Sequence, residues 1–122
     1  QELGMTNTTF KNASGLFDAK QVTTARDMTT LMMAIKKDFP EYYDLLSALN
    51  FSYKGVDYNS HTSVMKVCPW AKAGKTGYVR ASGFNLVIGA EKGKKNLVAV
   101  VMGGVTARSR DNKMISLLNE NF

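Results

Sequence analysis

The run Asn96-Leu97-Val98-Ala99-Val100-Val101-Met102 constrains this chain more than any other stretch. Branched and apolar side chains in an unbroken row favour a strand, because a branched Cβ packs well on a pleated surface and is stiff in a helix. Successive side chains of a strand point to opposite faces, so a strand apolar throughout needs cover on both. The pattern predicts a central strand over 96–102, covered on both faces and flanked on both sides, ended by Gly103-Gly104. Left as a free edge, such a strand would be sticky.

Two further strands precede it. Phe84, Leu86 and Ile88 alternate with Asn85, Val87 and Gly89, which predicts a strand over 84–90 joined to the next through Glu91 to Lys95. Ser82-Gly83 supplies a turn, and the stretch from Lys75 to Arg80 reads as the strand before it. A final helix over about 108–121 buries Met114, Leu117 and Leu118. Upstream, residues 1–22 read as irregular chain packed at points through Leu3, Met5, Phe10, Leu16 and Phe17. Thr24 is an N-cap, with Asp27 as a partial capping box, for a helix over about 24–37 carrying the stripe Met28, Leu31, Met32 and Ile35. Pro40 starts a short second helix that buries Tyr43, Leu45, Leu46 and Leu49. Phe51 to Tyr58 is a small hairpin turning at Lys54-Gly55, and residues 59–73 are a loop. The fold class is mixed α/β (α+β): an antiparallel sheet of about three strands with flanking helices. So small a sheet leaves the 96–102 strand short of a neighbour. The chain, which begins at Gln1 and stops on a helical pattern, is expected to be part of a larger domain whose missing strand comes from upstream.

Composition closes several routes. With 122 residues, 44% of them apolar, the chain can bury one real core. No apolar run approaches a membrane span. Cys68 is the single cysteine and reads as a half-buried thiol, since His61 is the only imidazole that could activate it. The methionines are core filler, with no converging soft ligands for a metal. The net charge of +6 is scattered apart from Lys92, Lys94 and Lys95, a solvated hairpin tip. A basic stripe with interleaved aromatics is missing, so no nucleic-acid partner is expected. The mild positive field suits an anionic polymer or a carboxylate.

Chemistry concentrates at Gly74-Lys75-Thr76-Gly77-Tyr78. Lys75 can hold an anion, Thr76 can donate a hydrogen bond to it, and Gly77 lets another backbone come close. On an edge strand these groups would suit an extended peptide ending in a carboxylate. The plainer reading is a hairpin with a surface lysine. A P-loop is excluded: its first glycine would have to stand at Pro69, and Gly77-Tyr78-Val79 opens a helix poorly.

Over essentially its whole length the chain resembles the C-terminal part of the penicillin-binding domain of the low-molecular-mass, serine-type D-alanyl-D-alanine carboxypeptidases. The matching pieces are Leu3-Gly4-Met5-Thr6-Asn7-Thr8, Phe10-Lys11-Asn12-Ala13-Ser14-Gly15-Leu16, Thr23-Thr24-Ala25-Arg26-Asp27-Met28 and Asp38-Phe39-Pro40-Glu41-Tyr42-Tyr43. Lys75-Thr76-Gly77-Tyr78, Gly83-Phe84-Asn85-Leu86-Val87, Val100-Val101-Met102-Gly103-Gly104 and Arg110-Asp111 follow in order. The resemblance implies a β-lactamase/transpeptidase-like fold, present in part.

It also implies three site motifs, Ser-x-x-Lys, Ser-x-Asn and Lys-Thr-Gly, of which the first two precede the Leu-Gly-Met segment and should be missing here. Ser63-Val64-Met65-Lys66 fits the first by letter and is read as chance. The implied roles are catalytic for Lys75, which orients the substrate carboxylate and supports proton transfer, and for the Tyr78 backbone N–H, half of an oxyanion hole. Substrate binding falls to Lys75, Thr76, Gly77 and Arg110, although Arg110 also reads as a plain surface arginine. No cofactor and no metal are implied. The implied partners are a peptidoglycan stem peptide ending in D-Ala-D-Ala, β-lactam antibiotics, and the upstream part of the domain or a second copy through strand 96–102. The implied location is the periplasm, at the outer face of the bacterial inner membrane. Three departures flank the site: Lys72-Ala73 where the family has Asp-Gly, Val79 where a threonine is usual, and Ser60-His61-Thr62 where Asn-His-Asn is common. Two other readings stay open, a non-catalytic module that binds peptidoglycan peptides and a β-lactamase relative.

Overall fold

The computed structural model describes residues 2–122. Three consecutive strands, β3 (Ala71–Val79), β4 (Gly83–Lys92) and β5 (Lys95–Gly104), form an antiparallel meander with β4 in the middle. The register runs Lys75 to Val87, Thr76 to Leu86 and Gly77 to Asn85 across β3 and β4. Helix α1 (Ala25–Asp38) lies against one face and α4 (Ala107–Asn121) against the other. Residues 97–101 are thus half-buried between helices on both faces, while Met102 is exposed. Among the described residues β5 pairs only with β4, and the second neighbour expected from upstream sequence is not among them. Apolar content reports cover from above and below, and carries no signal for a lateral neighbour.

The two faces are packed unequally. Leu86 and Ile88 of β4 meet Met114 and Leu118 of α4 together with Val64 and Cys68, all at most 4% exposed. Cys68 is therefore fully rather than half buried. On the α1 face the buried cluster is only Met32, Tyr43 and Ala73. The stripe Met28, Leu31 and Ile35 is half-buried.

The helix starts were readable. Thr24 caps α1 by accepting from the Asp27 amide at 3.1 Å. The Asp27 carboxylate does not turn back to close the capping box; it is buried and accepts from the Asn7 amide at 3.0 Å and the Thr8 hydroxyl at 2.6 Å. That ties the irregular N-terminal segment to α1. Of the apolar residues expected to anchor this segment only Met5 is buried, whereas Leu3, Phe10, Leu16 and Phe17 are exposed. Helix α2 (Pro40–Leu45) buries Tyr43, but Leu45 and Leu49 are exposed, because six residues make too short a helix to turn all four toward the sheet. The hairpin β1 (Asn50–Tyr53) and β2 (Val56–Asn59) turns at Lys54-Gly55, both with positive φ. Residues 59–73 are not all loop: they include α3 (Val64–Val67) and the start of β3. At the β4–β5 turn, the Lys92 ammonium lies 4.1 Å from the centre of the Trp70 ring, so part of the expected solvated tip is packed. No described helix is long and apolar enough to cross a membrane.

Candidate functional site

Alternation along β3 divides the Lys75–Tyr78 stretch between the two faces of the sheet. Lys75 and Gly77 share a face with Val87, on the α1 side, and Thr76 shares one with Leu86, on the α4 side. Lys75 is exposed and its ammonium donates to the Thr76 carbonyl. Tyr78 is exposed, its ring 4.3 Å from that of Phe84.

The peptide unit between Gly77 and Tyr78 is the chemically telling one. It is trans, like every described peptide, so its carbonyl and its N–H point in opposite directions. The Gly77 carbonyl accepts from Asn85 Nδ2 on β4 at 3.2 Å. The Tyr78 N–H therefore points away from β4, out of the edge of β3 that has no strand beside it among the described residues. Gly77 needs its missing side chain for nothing inside the chain: a Cβ there would meet no atom within 4 Å, and its φ is not positive. A side chain there would project from the same sheet face as Lys75, toward the open space beyond it.

A cavity of about 540 Å³ lies over the α1-side face of the sheet, with Asn85, Val87, Val100 and Met102 in its floor, and reaches this edge. One wall is Lys75 to Val79; the other comes from the irregular segment, through Gly15, Phe17, Asp18 and Val22. That second wall is held by a bridge between Thr9 and Val22 and by the Asp27 contacts. The structure thus brings Lys75, Thr76, Gly77 and Tyr78 together on one cavity wall.

Arg110 is placed differently. It lies on α4 one turn before Met114, 4% exposed, and does not line the cavity. Its guanidinium pairs with Asp111 at 2.8 Å and donates to the Asn85 carbonyl at 3.5 Å. The plain surface arginine is ruled out by this burial. Arg110 sits under the sheet face that carries Thr76, not on the cavity wall. Ser63 and Lys66 are exposed at α3, outside the cavity, and Ser63 makes no capping bond. Two contributors escaped the sequence reading. Residues 15–23 carry no periodicity, so nothing placed them opposite Lys75. Asn85 had one signal, a polar amide in an otherwise apolar strand.

An antiparallel sheet with helices on both faces and one strand edge left open is an arrangement this chain shares with penicillin-binding proteins of known structure. Penicillin-binding protein 5 from Haemophilus influenzae superposes with a TM-score of 0.88 at 30% identity, over 96% of this chain and 35% of its own. Penicillin-Binding Protein D2 from Listeria monocytogenes, in its ampicillin-bound form, does so with a TM-score of 0.88 at 29% identity, over 97% and 50%. The D-alanyl-D-alanine carboxypeptidase family model matches residues 1–106, and the chain belongs to that family. D-alanyl-D-alanine carboxypeptidase DacC from Escherichia coli is 35% identical over the whole of this chain, which spans 31% of that protein's length.

Proposed function

We propose that this chain is the substrate-binding wall of a serine-type D-alanyl-D-alanine carboxypeptidase that cleaves peptidoglycan stem peptides and is acylated by penicillins. The observation that carries the reading is the outward-facing Tyr78 N–H beside Lys75 and Thr76 on an open strand edge. In the complete enzyme a serine supplied by upstream sequence attacks the D-Ala-D-Ala carbonyl. Lys75 steers the terminal carboxylate and assists proton transfer, and Thr76 donates to that carboxylate. Gly77 lets the peptide backbone approach, and the Tyr78 N–H stabilises the oxyanion. Arg110, paired with Asp111 beneath the sheet, supports this wall through its bond to the Asn85 carbonyl. One oxyanion donor is worth about 3–4 kcal/mol of barrier. D-Alanine leaves, and water then hydrolyses the acyl-serine ester.

The reading places the enzyme at the outer face of the bacterial inner membrane. The bare edge of β5 would take a strand from the upstream part of the domain, or a second copy of the chain. The departures at Lys72-Ala73, Val79 and Ser60-His61-Thr62 bear on which stem peptide is preferred.

The test is to mix the 122-residue chain with a fluorescent penicillin, denature it and read the intact mass. We expect no adduct on the chain alone, and one adduct once the upstream segment is joined to it. A stable adduct on the isolated chain would overturn the reading and make Ser63 the first suspect.

A further inference from the structure

Asn85 makes more hydrogen bonds than its place in a strand requires. Its Oδ1 accepts from the Gly103 amide of β5 at 2.9 Å. A backbone N–H needs an acceptor, so this contact fixes which way the side-chain amide is turned. Nδ2 then faces three acceptors: the Gly77 carbonyl at 3.2 Å, the Gly83 carbonyl at 3.1 Å and the Ser82 hydroxyl at 3.0 Å. One side chain therefore joins β3, the β3–β4 turn and β5. It does so where the ladder fails: the register of β4 against β5 shifts between Phe84 and Leu86, leaving Asn85 without a partner on β5.

We propose that Asn85 is a positioning residue for the oxyanion donor, setting the direction of the Tyr78 N–H by holding the Gly77 carbonyl at the other end of the same rigid peptide. This rests on the reading of the Tyr78 N–H as an oxyanion donor. Gly77 stands opposite Asn85 in the β3–β4 ladder, which leaves this peptide plane at the outer edge only a residual tilt about the line between its two Cα atoms. A hydrogen bond from Asn85 to the carbonyl limits that tilt, and hydrogen bonds weaken steeply as their angle bends. The donor is thereby aimed before substrate arrives, which is the condition for an oxyanion hole to lower a barrier. The bonds to Ser82 and Gly103 in turn keep the Asn85 amide from swinging away.

The test uses the full-length enzyme, acylated by a penicillin labelled with carbon-13 at its β-lactam carbonyl, and reads the infrared stretch of the resulting ester. In the wild type this band is expected below that of the same ester in denatured protein. In Asn85→Ala it is expected to move back toward the denatured value, with acylation slowed roughly ten- to hundred-fold, short of the 10²–10³ lost when a donor is removed outright. Asn85→Asp, similar in size but without the amide donor, is expected to give the same upward shift. A merely structural role would lower the melting temperature and leave the band of the folded acyl-enzyme in place. If the wild-type band is not lowered at all, the oxyanion reading itself fails. If it is lowered and neither variant moves it, the positioning role is overturned while the oxyanion reading stands. Should neither variant fold, the coupling across the hydrogen bond between Asn85 Nδ2 and the Gly77 carbonyl carbon decides in the wild type: a resolved coupling supports the role and its absence overturns it.

Discussion

The two halves of β3 are built to different ends. From Ala71 to Gly74 the strand is mostly buried, whereas from Lys75 to Val79 no residue is. Two glycines three positions apart mark the change. A Cβ on Gly74 would come within 2.6 Å of Thr62 Cγ2 and 2.8 Å of Ile88 Cδ1, while one on Gly77 would meet nothing. The same residue type thus stands once where the interior closes tightly and once where the sheet face is open. Both halves pair with β4, but the first packs side chains into the interior while the second leaves its side chains exposed or half-buried.

Three measurements sharpen or break this division. The largest effect is expected for Lys75→Ala in the full-length enzyme. Penicillin acylation should fall by about 10²–10⁴, the range for losing a positioned proton-transfer group, while the melting temperature stays unchanged because the side chain is exposed. A melting point that fell in step with activity would show Lys75 to be structural. Next comes the glycine pair. Gly74→Ala should cost about 1–3 kcal/mol by overpacking, and Gly77→Ala about 0.5 kcal/mol or less, both read from denaturant unfolding. Equal losses would erase the division.

The smallest effect concerns the buried half. Burial beneath the sheet raises the Tyr43 hydroxyl above its ordinary pKa of 10.0, helped by the nearby Glu91 and Asp44 carboxylates. The folded protein therefore holds this proton where the unfolded chain has released it. The stabilisation is full below about pH 10 and is lost as pH rises through the folded-state value. Tyr43→Phe should flatten that part of the stability curve measured from neutral to alkaline pH. An unchanged slope would place the phenol in water.

Much of this was legible in the sequence because it is local. The alternation of Phe84 to Gly89 and the cap at Thr24 announce themselves within a few residues, and the meander and α1 follow. Lys75 to Tyr78 stood out as neighbours on one strand, but the family resemblance was what ranked them as a site, since the residues alone read more plainly as a hairpin with a surface lysine. What stayed hidden depends on distant contacts. Whether β5 is an edge is decided by what lies beside it. The four-residue α3 is too short to show a period. The second cavity wall is placed by a buried carboxylate, Asp27, bonding to Asn7 and Thr8, which no helical pattern foretells. Arg110 was marked by family likeness, but its burial against Asp111 and the Asn85 carbonyl could be seen only once α4 was docked.

The meander also sets an order of events. β3, β4 and β5 follow one another through turns of only a few residues, so their pairings close short loops, the cheapest in chain entropy and among the fastest to form. The far wall of the cavity must travel a long sequence distance to reach β3. Sequence separation alone therefore favours pairing of the meander before residues 15–23 reach β3. In that order the outer edge of β3 stands open until those residues arrive, an interval in which it would be free to pair with another extended chain.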